Sequence, residues 1–165
     1  WNDELIGEWD YDQYGELISS KQYQNGSLQS HTIWNNTYNA DEQLQEVMQI
    51  DGLTNTTTEQ DIYTYNEDDL LIKLNTQRLS QGLELEYTYA YDAEDRQVEL
   101  IRFDLTNQQR DFKLVTAYLN GSLEKKNSYF DGDDVLLWYS ETEYDEYPRN
   151  IVTNVSNGLG EAYTH

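Results

Sequence analysis

The chain contains no cysteine, one proline and two histidines among its 165 residues. Without cysteine it can form neither a disulfide framework nor a thiolate metal site. No apolar run approaches the ~20 residues that a transmembrane helix needs, so no such segment is expected. The start, Trp1-Asn2-Asp3-Glu4, lacks the basic and apolar regions of a signal peptide. We therefore expect that any signal peptide was removed or was never present.

Basic residues are also scarce, with 10 Lys and Arg against 32 Asp and Glu, which gives a net charge of −22. A field of that sign repels phosphate backbones and anionic membrane surfaces, so nucleic acid is not expected as a partner. We interpret the acidity as a highly soluble, self-repelling surface. Affinity for cations or for a basic partner is the alternative interpretation.

Groups that carry common catalytic mechanisms are nearly absent. His31 lies in a strand-like segment beside Thr32 and is interpreted as a structural residue. No serine lies in a nucleophile elbow, and the glycines lack a dinucleotide-binding fingerprint. Carboxylates are so frequent that no particular pair can be assigned as a glycosidase pair. We therefore predict neither a catalytic residue nor an enzymatic activity.

Tyrosine is abundant, with 15 copies, and it marks a repeat. Tyr followed by Asp or Asn recurs every 26 or 27 residues, and in the one irregular copy the Asn comes a residue late, at Asn120. A fixed period of this length indicates a repeat architecture built from one supersecondary unit. The six anchors of the repeat are Tyr11, Tyr38, Tyr65, Tyr91, Tyr118 and Tyr144.

Each unit has a second turn about halfway along, which splits it into two strand-length segments. Asn-Gly and Asp-Gly pairs tolerate the positive φ of tight hairpin turns, so we predict that these pairs close hairpins. The second turns are Asn25-Gly26, Asp51-Gly52, Gln81-Gly82, Asn107-Gln108, Asp131-Gly132 and Asn157-Gly158. Between turns the residues alternate, as in Leu83-Glu84-Leu85-Glu86-Tyr87, which is the period of a half-buried strand.

These patterns predict an all-β fold. We expect an antiparallel meander of about twelve strands, built from six hairpin repeats in a single domain over residues 1–165. The hydrophobic fraction of 37% is low for two packed layers. We therefore predict a curved, largely single-layer sheet or an open barrel.

The repeat unit is similar to a known family. The segment Trp9-Asp10-Tyr11-Asp12-Gln13-Tyr14-Gly15-Glu16-Leu17 resembles the YD repeat of the RHS type, and the units at Tyr65 and Tyr91 match it in part. Tyr144-Asp145-Glu146-Tyr147-Pro148-Arg149-Asn150 is similar to a turn of the degenerate relatives in secreted proteins and surface lipoproteins of Gram-negative bacteria. The resemblance implies a β-sheet that wraps into a shell and an exported location. It transfers no catalytic residue.

Two sets of residues are candidate binding sites. Asp131, Asp133 and Asp134 cluster oxygens as calcium prefers, but the spacing is not that of an EF-hand, and a hairpin turn with a solvated charge cluster is the favoured interpretation. Trp9, Trp34 and Trp138, with the tyrosines, are candidates for an aromatic platform that binds sugars. Cross-strand packing is the alternative interpretation of the same aromatic residues.

The function predicted from these observations is a structural or binding module without catalytic activity. Its expected location is extracellular or on the outer-membrane surface of a Gram-negative bacterium, with a protein or surface glycan as partner, as part of a larger surface assembly. No cofactor is expected apart from calcium at Asp131, Asp133 and Asp134. A carbohydrate-binding module and a carboxylate-based glycoside hydrolase are the alternatives.

Overall fold

A computed structural model describes residues 5–119, 124–144, 150–157 and 162–164. The described residues form thirteen strands and no helix, and the strand order in the sheet is the chain order. The predicted all-β antiparallel meander is therefore confirmed. The strands are β1 Leu5–Tyr11, β2 Leu17–Gln24, β3 Ser27–Tyr38, β4 Leu44–Asp51, β5 Thr56–Tyr65, β6 Leu71–Arg78, β7 Leu83–Tyr91, β8 Gln97–Asp104, β9 Gln109–Leu119, β10 Glu124–Asp131, β11 Leu136–Tyr144, β12 Asn150–Asn157 and β13 Ala162–Thr164.

The core is very small. Among the described residues Leu85, at 5% exposure, is the one buried hydrophobic side chain, and the other strand residues are mostly half-buried. Leu85 lies on β7, where the alternation of Leu and Glu predicted the buried face. A sheet with so little buried apolar surface depends on backbone ladders and on cross-strand side-chain pairs. The tyrosines suit this role because their rings pack while their hydroxyls reach solvent or a partner.

The chain divides into two compact units, which interleave in sequence. Unit 1 comprises Trp1–Thr64 with Leu74–Glu84, and unit 2 comprises Tyr65–Lys73 with Leu85–His165. In unit 1, β1 to β5 pair in chain order as antiparallel ladders. In unit 2, β7 to β13 do the same.

A β-bulge accompanies most of the Tyr-Asp positions. The register shifts so that Tyr11 lies opposite Leu17 and Tyr38 opposite Leu44, which leaves one extra residue on the following strand. Tyr91 lies opposite Gln97 in the same way. A bulge increases the local twist and bends the strand. We therefore expect the strands to bend next to Tyr11, Tyr38 and Tyr91.

The turns that follow Tyr11, Tyr38, Tyr65 and Tyr91 share one geometry, which we call the Tyr-Asp turn, and the turn that follows Phe130 has it too. The first residue donates its backbone N–H to the carbonyl of the fifth, and its side-chain oxygen accepts the N–H groups of the third and fifth residues. This arrangement occurs at Asp12, Asn39, Asn66, Asp92 and Asp131. The fourth residue has positive φ and is Gly15, Glu42, Asp69, Asp95 or Asp134. Asp and Asn both supply the required acceptor, which explains why the repeat accepts either residue.

Asp131-Gly132 closes the hairpin of β10 and β11 at the predicted place, halfway between two anchors, but its geometry is not that of the other second turns. Asp131 makes the hydrogen bonds of the Tyr-Asp turn, and a bulge places Phe130 opposite Leu136 where the other units have tyrosine. The irregular copy near Asn120 lies outside the described residues. The Asp-Gly pair did not predict this geometry. The geometry depends on the Asp131 carboxylate, which accepts two backbone N–H groups of the turn.

The remaining second turns follow the prediction only in part. Asn25 and Gly26 both have positive φ, at 50° and 75°, as a two-residue hairpin requires, and Gly82 has φ of 60°. The turn after Asp51 instead places Asn55 in that region, with φ of 57°. Gly52 is required for a different reason, because a Cβ there would collide with the imidazole ring of His31.

We predict that Gly26→Val lowers the free energy of unfolding by about 1 kcal/mol or more, because a β-branched residue resists positive φ. Urea unfolding monitored by circular dichroism measures the loss. Ser27→Val is the matched control, since Ser27 is an exposed strand residue where valine is favoured. Equal stability of the two variants would contradict the turn geometry.

Candidate functional site

The three tryptophans do not assemble into one platform within a unit. Trp9 on β1 is 55% exposed, and its ring lies where a Cβ on Gly7 would be. Trp34 on β3 is half-buried and faces the same side of unit 1, two strands away. Trp138 belongs to unit 2. Each tryptophan therefore has its own surroundings.

Trp138 ends a row of aromatic rings that crosses three strands of unit 2. The rings of Tyr129 and Trp138 stack at 5.4 Å with an interplanar angle of 6°. Phe112 stacks on the other side of Tyr129 at 5.1 Å, and the guanidinium of Arg102 lies 4.8 Å from the Phe112 ring centre. Tyr129 and Trp138 are direct cross-strand partners, so the register of β10 and β11 sets the stack.

A row of polar side chains runs beside the aromatic row on the same face. The Thr116 hydroxyl donates to the amide oxygen of Asn127 at 2.9 Å, and the Asn127 amide nitrogen donates to Ser140 Oγ at 3.4 Å. Thr116 is buried, at 9% exposure. These bonds hold the Asn127 side chain in one orientation across β9, β10 and β11.

A cavity of about 330 Å³, which we call the Trp138 groove, lies over the polar row, with Trp138 at one side and Tyr118 and Lys125 at the other. Its volume falls within the range of small-molecule sites, about 300–1,000 Å³. The groove combines one aromatic wall with amide, hydroxyl and ammonium groups. The residues that line it include Gln97, Thr116, Tyr118, Lys125, Asn127 and Trp138.

A second cavity, of about 310 Å³, lies in unit 1 beside His31. Ser19 Oγ is 3.5 Å from His31 Nε2, and Asp51 also lines the cavity. The Asp51 carboxylate accepts the backbone N–H of Leu53 at 2.8 Å and that of Thr54 at 3.4 Å. His31 packs against the Gly52 turn, which agrees with its interpretation as a structural residue.

Tyrosine hydroxyls bond the turn of the preceding unit. Tyr91 donates to the carbonyl of Leu71 at 2.8 Å, and Tyr118 donates to the carbonyl of Gln97 at 3.2 Å. Each acceptor lies six residues after the previous anchor. The first copy in the chain varies this pattern, because Tyr38 bonds the Asp12 carboxylate while Asn36 donates to Leu17. Tyr38, Tyr91 and Tyr118 thus each join their own unit to the one before.

Tyr118→Phe is expected to lower the free energy of unfolding by about 1 kcal/mol, because it removes one hydrogen bond and leaves the ring in place. Tyr11→Phe is the matched control. Tyr11 occupies the same position of the repeat but is 60% exposed, so we expect no change there. Thermal unfolding of the two variants gives the comparison, and equal losses would contradict a role for the hydroxyl of Tyr118.

The contact between Tyr38 and Asp12 predicts a pH dependence. Burial, followed by the hydrogen bond to Asp12, raises the pKa of Tyr38 to about 12. The hydrogen bond from Tyr38 is the largest cause that lowers the pKa of Asp12. The Tyr38 contribution is therefore complete below the ordinary pKa of 10.0 and is lost as pH rises to about 12. The Asp12 contribution is present above 3.8 and is lost as pH falls.

We expect the stability difference between the native chain and Tyr38→Phe to be constant near neutral pH and to shrink at both extremes. Urea unfolding across the pH range measures this difference. A difference that does not change with pH would contradict the assigned contact.

The three carboxylates of the Asp131 turn have different surroundings. Asp131 accepts two backbone N–H groups of its own turn, at 2.9 Å each. Asp134 pairs with Arg110 at 2.8 Å and with Lys113 at 2.7 Å, and hydrogen bonds from Lys113 and then Arg110 lower its pKa. Asp133 is exposed. Across the described residues, no group of three or more His, Cys, Asp and Glu side chains is placed to hold a metal ion.

Sequence reasoning identified Trp138 but missed its neighbours in the groove. Lys125 and Asn127 carry no motif, and they meet Trp138 only through the pairing of β9, β10 and β11. Alternation along β10 was the available signal, because it places Lys125, Asn127 and Tyr129 on one face. Nothing in the sequence indicated which strands adjoin them on that face.

Comparison with known proteins identifies the fold. No family model and no curated protein matches the chain. The crystal structure of TcdB2-TccC3 is similar, with a TM-score of 0.58 and 18% identity over 98% of this chain and 9% of that chain. The crystal structure of TcdB2-TccC3-TEV has a TM-score of 0.57 and 18% identity, over 97% of this chain and 8% of that chain. The structure of the Photorhabdus luminescens Tc holotoxin pore has a TM-score of 0.50 and 17% identity, over 97% of this chain and 8% of that chain.

These similarities concern the fold alone, because the identities are low. The chain spans less than a tenth of the length of those proteins. The class that fold and comparison define is an all-β sheet module similar to parts of Tc toxin complexes that contain TccC3. In the described part of the chain no helix is long and apolar enough to cross a membrane.

Proposed function

We propose that this chain is a non-catalytic structural and binding module of the YD-repeat, RHS-like type. It serves outside the cell or on the outer-membrane surface of a Gram-negative bacterium, as part of a larger assembly. The observation that carries the proposal is the set of hydrogen bonds from Tyr38, Tyr91 and Tyr118, each of which joins a unit to the unit before it. Such a module is stabilised by contacts between neighbouring repeats and needs no second layer.

Two further observations support this role. The proteins of similar fold are components of multi-protein toxin complexes, and this chain corresponds to a small section of one of their chains. A net charge of −22 keeps an exposed sheet soluble and discourages edge-to-edge pairing with other copies. Both features suit a sheet that presents surface to a partner.

Protease treatment of intact native cells tests the location. Peptides of this chain are expected in the medium while a cytosolic marker protein stays intact. Peptides that appear only after lysis would contradict a surface location. Cross-linking on the same cells, followed by mass spectrometry, identifies the members of the assembly.

An activity screen tests the absence of catalysis. The purified chain is expected to leave aryl glycosides unhydrolysed, because neither of the two cavities described above is lined by a pair of carboxylates. Hydrolysis that follows the protein through every purification step would instead favour the glycoside hydrolase alternative. Loss of that hydrolysis in one carboxylate variant would then identify the acid.

A further inference from the structure

The charge inside the Trp138 groove is opposite to that of the protein. Asp and Glu make up 32 of the 165 residues, yet none of the described residues that line the groove is acidic. Lys125 is the one charged residue among them. A site with a single positive charge inside a strongly negative field favours a ligand with a local negative charge.

Lys125 is also available to a ligand. Among the described residues it forms no ion pair, whereas its neighbour Lys126 pairs with Glu141 at 2.9 Å and Lys113 pairs with Asp134. Lys125 and Lys126 point to opposite faces of β10 because successive strand residues alternate. The ammonium group of Lys125 therefore lies on the face that carries the groove.

The indole of Trp138 offers an exposed flat surface on which a weakly apolar ring can stack. The Trp138 indole is held by its stack on Tyr129, and 38% of the residue remains exposed. The C–H groups of a pyranose carry partial positive charge, and the face of an indole carries the negative part of its quadrupole. A sugar ring on Trp138 thus gains dispersion and electrostatic attraction with little loss of side-chain entropy.

The polar row supplies hydrogen bonds with fixed geometry. Asn127 is oriented by Thr116 and Ser140, so its amide is preorganised at the floor of the groove. Gln97 and Tyr118 stand at the side that Lys125 occupies. Few aromatic groups and several placed polar groups are the composition expected of a site for a hydroxylated ligand.

From these observations we propose that the Trp138 groove binds an acidic sugar. The pyranose ring stacks on Trp138, the carboxylate pairs with Lys125, and the hydroxyls bond the amides of Asn127 and Gln97. The ligand is one uronate-type residue within a glycan rather than a polyuronate, because the surrounding charge of −22 repels an extended polyanion. This proposal refines the binding role proposed above by naming its partner chemistry.

A matched pair of ligands tests the proposal. Methyl glucuronide and methyl glucoside differ only in the carboxylate, and both are titrated into the purified chain by saturation-transfer NMR or calorimetry. The glucuronide is expected to bind about tenfold more tightly, as a charge-assisted hydrogen bond in a groove allows. Equal affinity for the two sugars, or binding of neither, would overturn the proposal.

Matched variants assign the binding to the groove. Lys125→Gln is expected to remove the preference for the glucuronide, while Lys126→Gln on the opposite face leaves it unchanged. Trp138→Ala is expected to abolish binding of both sugars, and Trp9→Ala in unit 1 is expected to retain it. Loss of preference in Lys126→Gln, or unchanged binding in Trp138→Ala, would contradict the assignment.

The experiment includes a folding control and is separate from the test of location. Circular dichroism checks the fold of each variant, and Lys125→Gln supplies the answer if Trp138→Ala fails to fold, because it removes the charge and keeps a polar, unbranched side chain. The titrations use purified protein, whereas the proposed location is tested on intact cells. Failure of sugar binding would therefore leave the structural role standing, and release from cells would not establish sugar binding.

Discussion

Gly132→Val is expected to lower the free energy of unfolding by about 3 kcal/mol, near the upper end of what overpacking costs. A Cβ at this position would collide with the backbone carbonyl oxygen of Arg110. A backbone group cannot rotate away as the end of a flexible side chain can. The Asp131 turn or the start of β9 must therefore move. Urea unfolding followed by circular dichroism measures the loss.

The same turn elsewhere in the chain provides a strict control. Gly132 is the second residue of its Tyr-Asp turn, and the second residue is Ala40 in the Asn39 turn and Ala93 in the Asp92 turn. Both alanines are exposed, so the turn itself accepts a side chain at this position. Ala40→Val is expected to change stability by less than about 0.5 kcal/mol. A similar loss in Ala40→Val and Gly132→Val would refute the close approach to Arg110.

Arg110 makes further contacts with the Asp131 turn at the point of this close approach. Arg110 donates to the carbonyl of Asp131 at 3.5 Å and pairs with Asp134 at 2.8 Å. These contacts draw the turn against the start of β9. Only glycine leaves room there, which is a packing requirement and not a requirement for positive φ.

The repeat was predictable because one residue type performs one task in each unit. After Tyr11, Tyr38, Tyr65 and Tyr91 an Asp or Asn accepts two backbone N–H groups, a task that few other side chains perform, so the period stands out. The strands followed from alternation, as at Leu85, the one buried hydrophobic residue among those described. The turns and strands could therefore be predicted from interactions between residues close in sequence.

The groove was not predictable because it depends on register across four strands. Gln97, Tyr118, Lys125 and Trp138 are separated by up to 41 positions and share no motif. Bulges next to Phe103 in the β8–β9 ladder and next to Phe130 in the β10–β11 ladder each displace the pairing by one residue, which changes the side chains that meet. A sequence read strand by strand contains no information about those displacements.

Sodium chloride is expected to raise the melting temperature of the chain steadily. Thirty-two carboxylates on an exposed sheet repel one another, and few cations offset them. The Debye length falls from about 10 Å at 0.1 M salt to about 3 Å at 1 M, so the repulsion weakens over this range. Thermal unfolding across that series measures the effect. A melting temperature that stays flat or falls would contradict screening.

Calcium at matched ionic strength separates screening from a specific site at Asp131, Asp133 and Asp134. We expect calcium to add nothing beyond sodium, and chelator to change nothing. The reason is that the Asp131 carboxylate performs the same turn hydrogen bonding that the amides of Asn39 and Asn66 perform, so this position requires an acceptor and not a charge. Asp131→Asn should accordingly leave the turn stable.

Two single variants of that turn are expected to change the stability of the chain in different directions. Asp134→Asn is expected to destabilise the chain at low salt, because it removes the partner of both Arg110 and Lys113. Asp133→Asn is expected to be neutral or stabilising, since it removes one of many like charges from an exposed position. A sharp stabilisation by calcium that disappears in Asp133→Asn would reverse this expectation, because a hard cation gains most where several carboxylates lose their repulsion together.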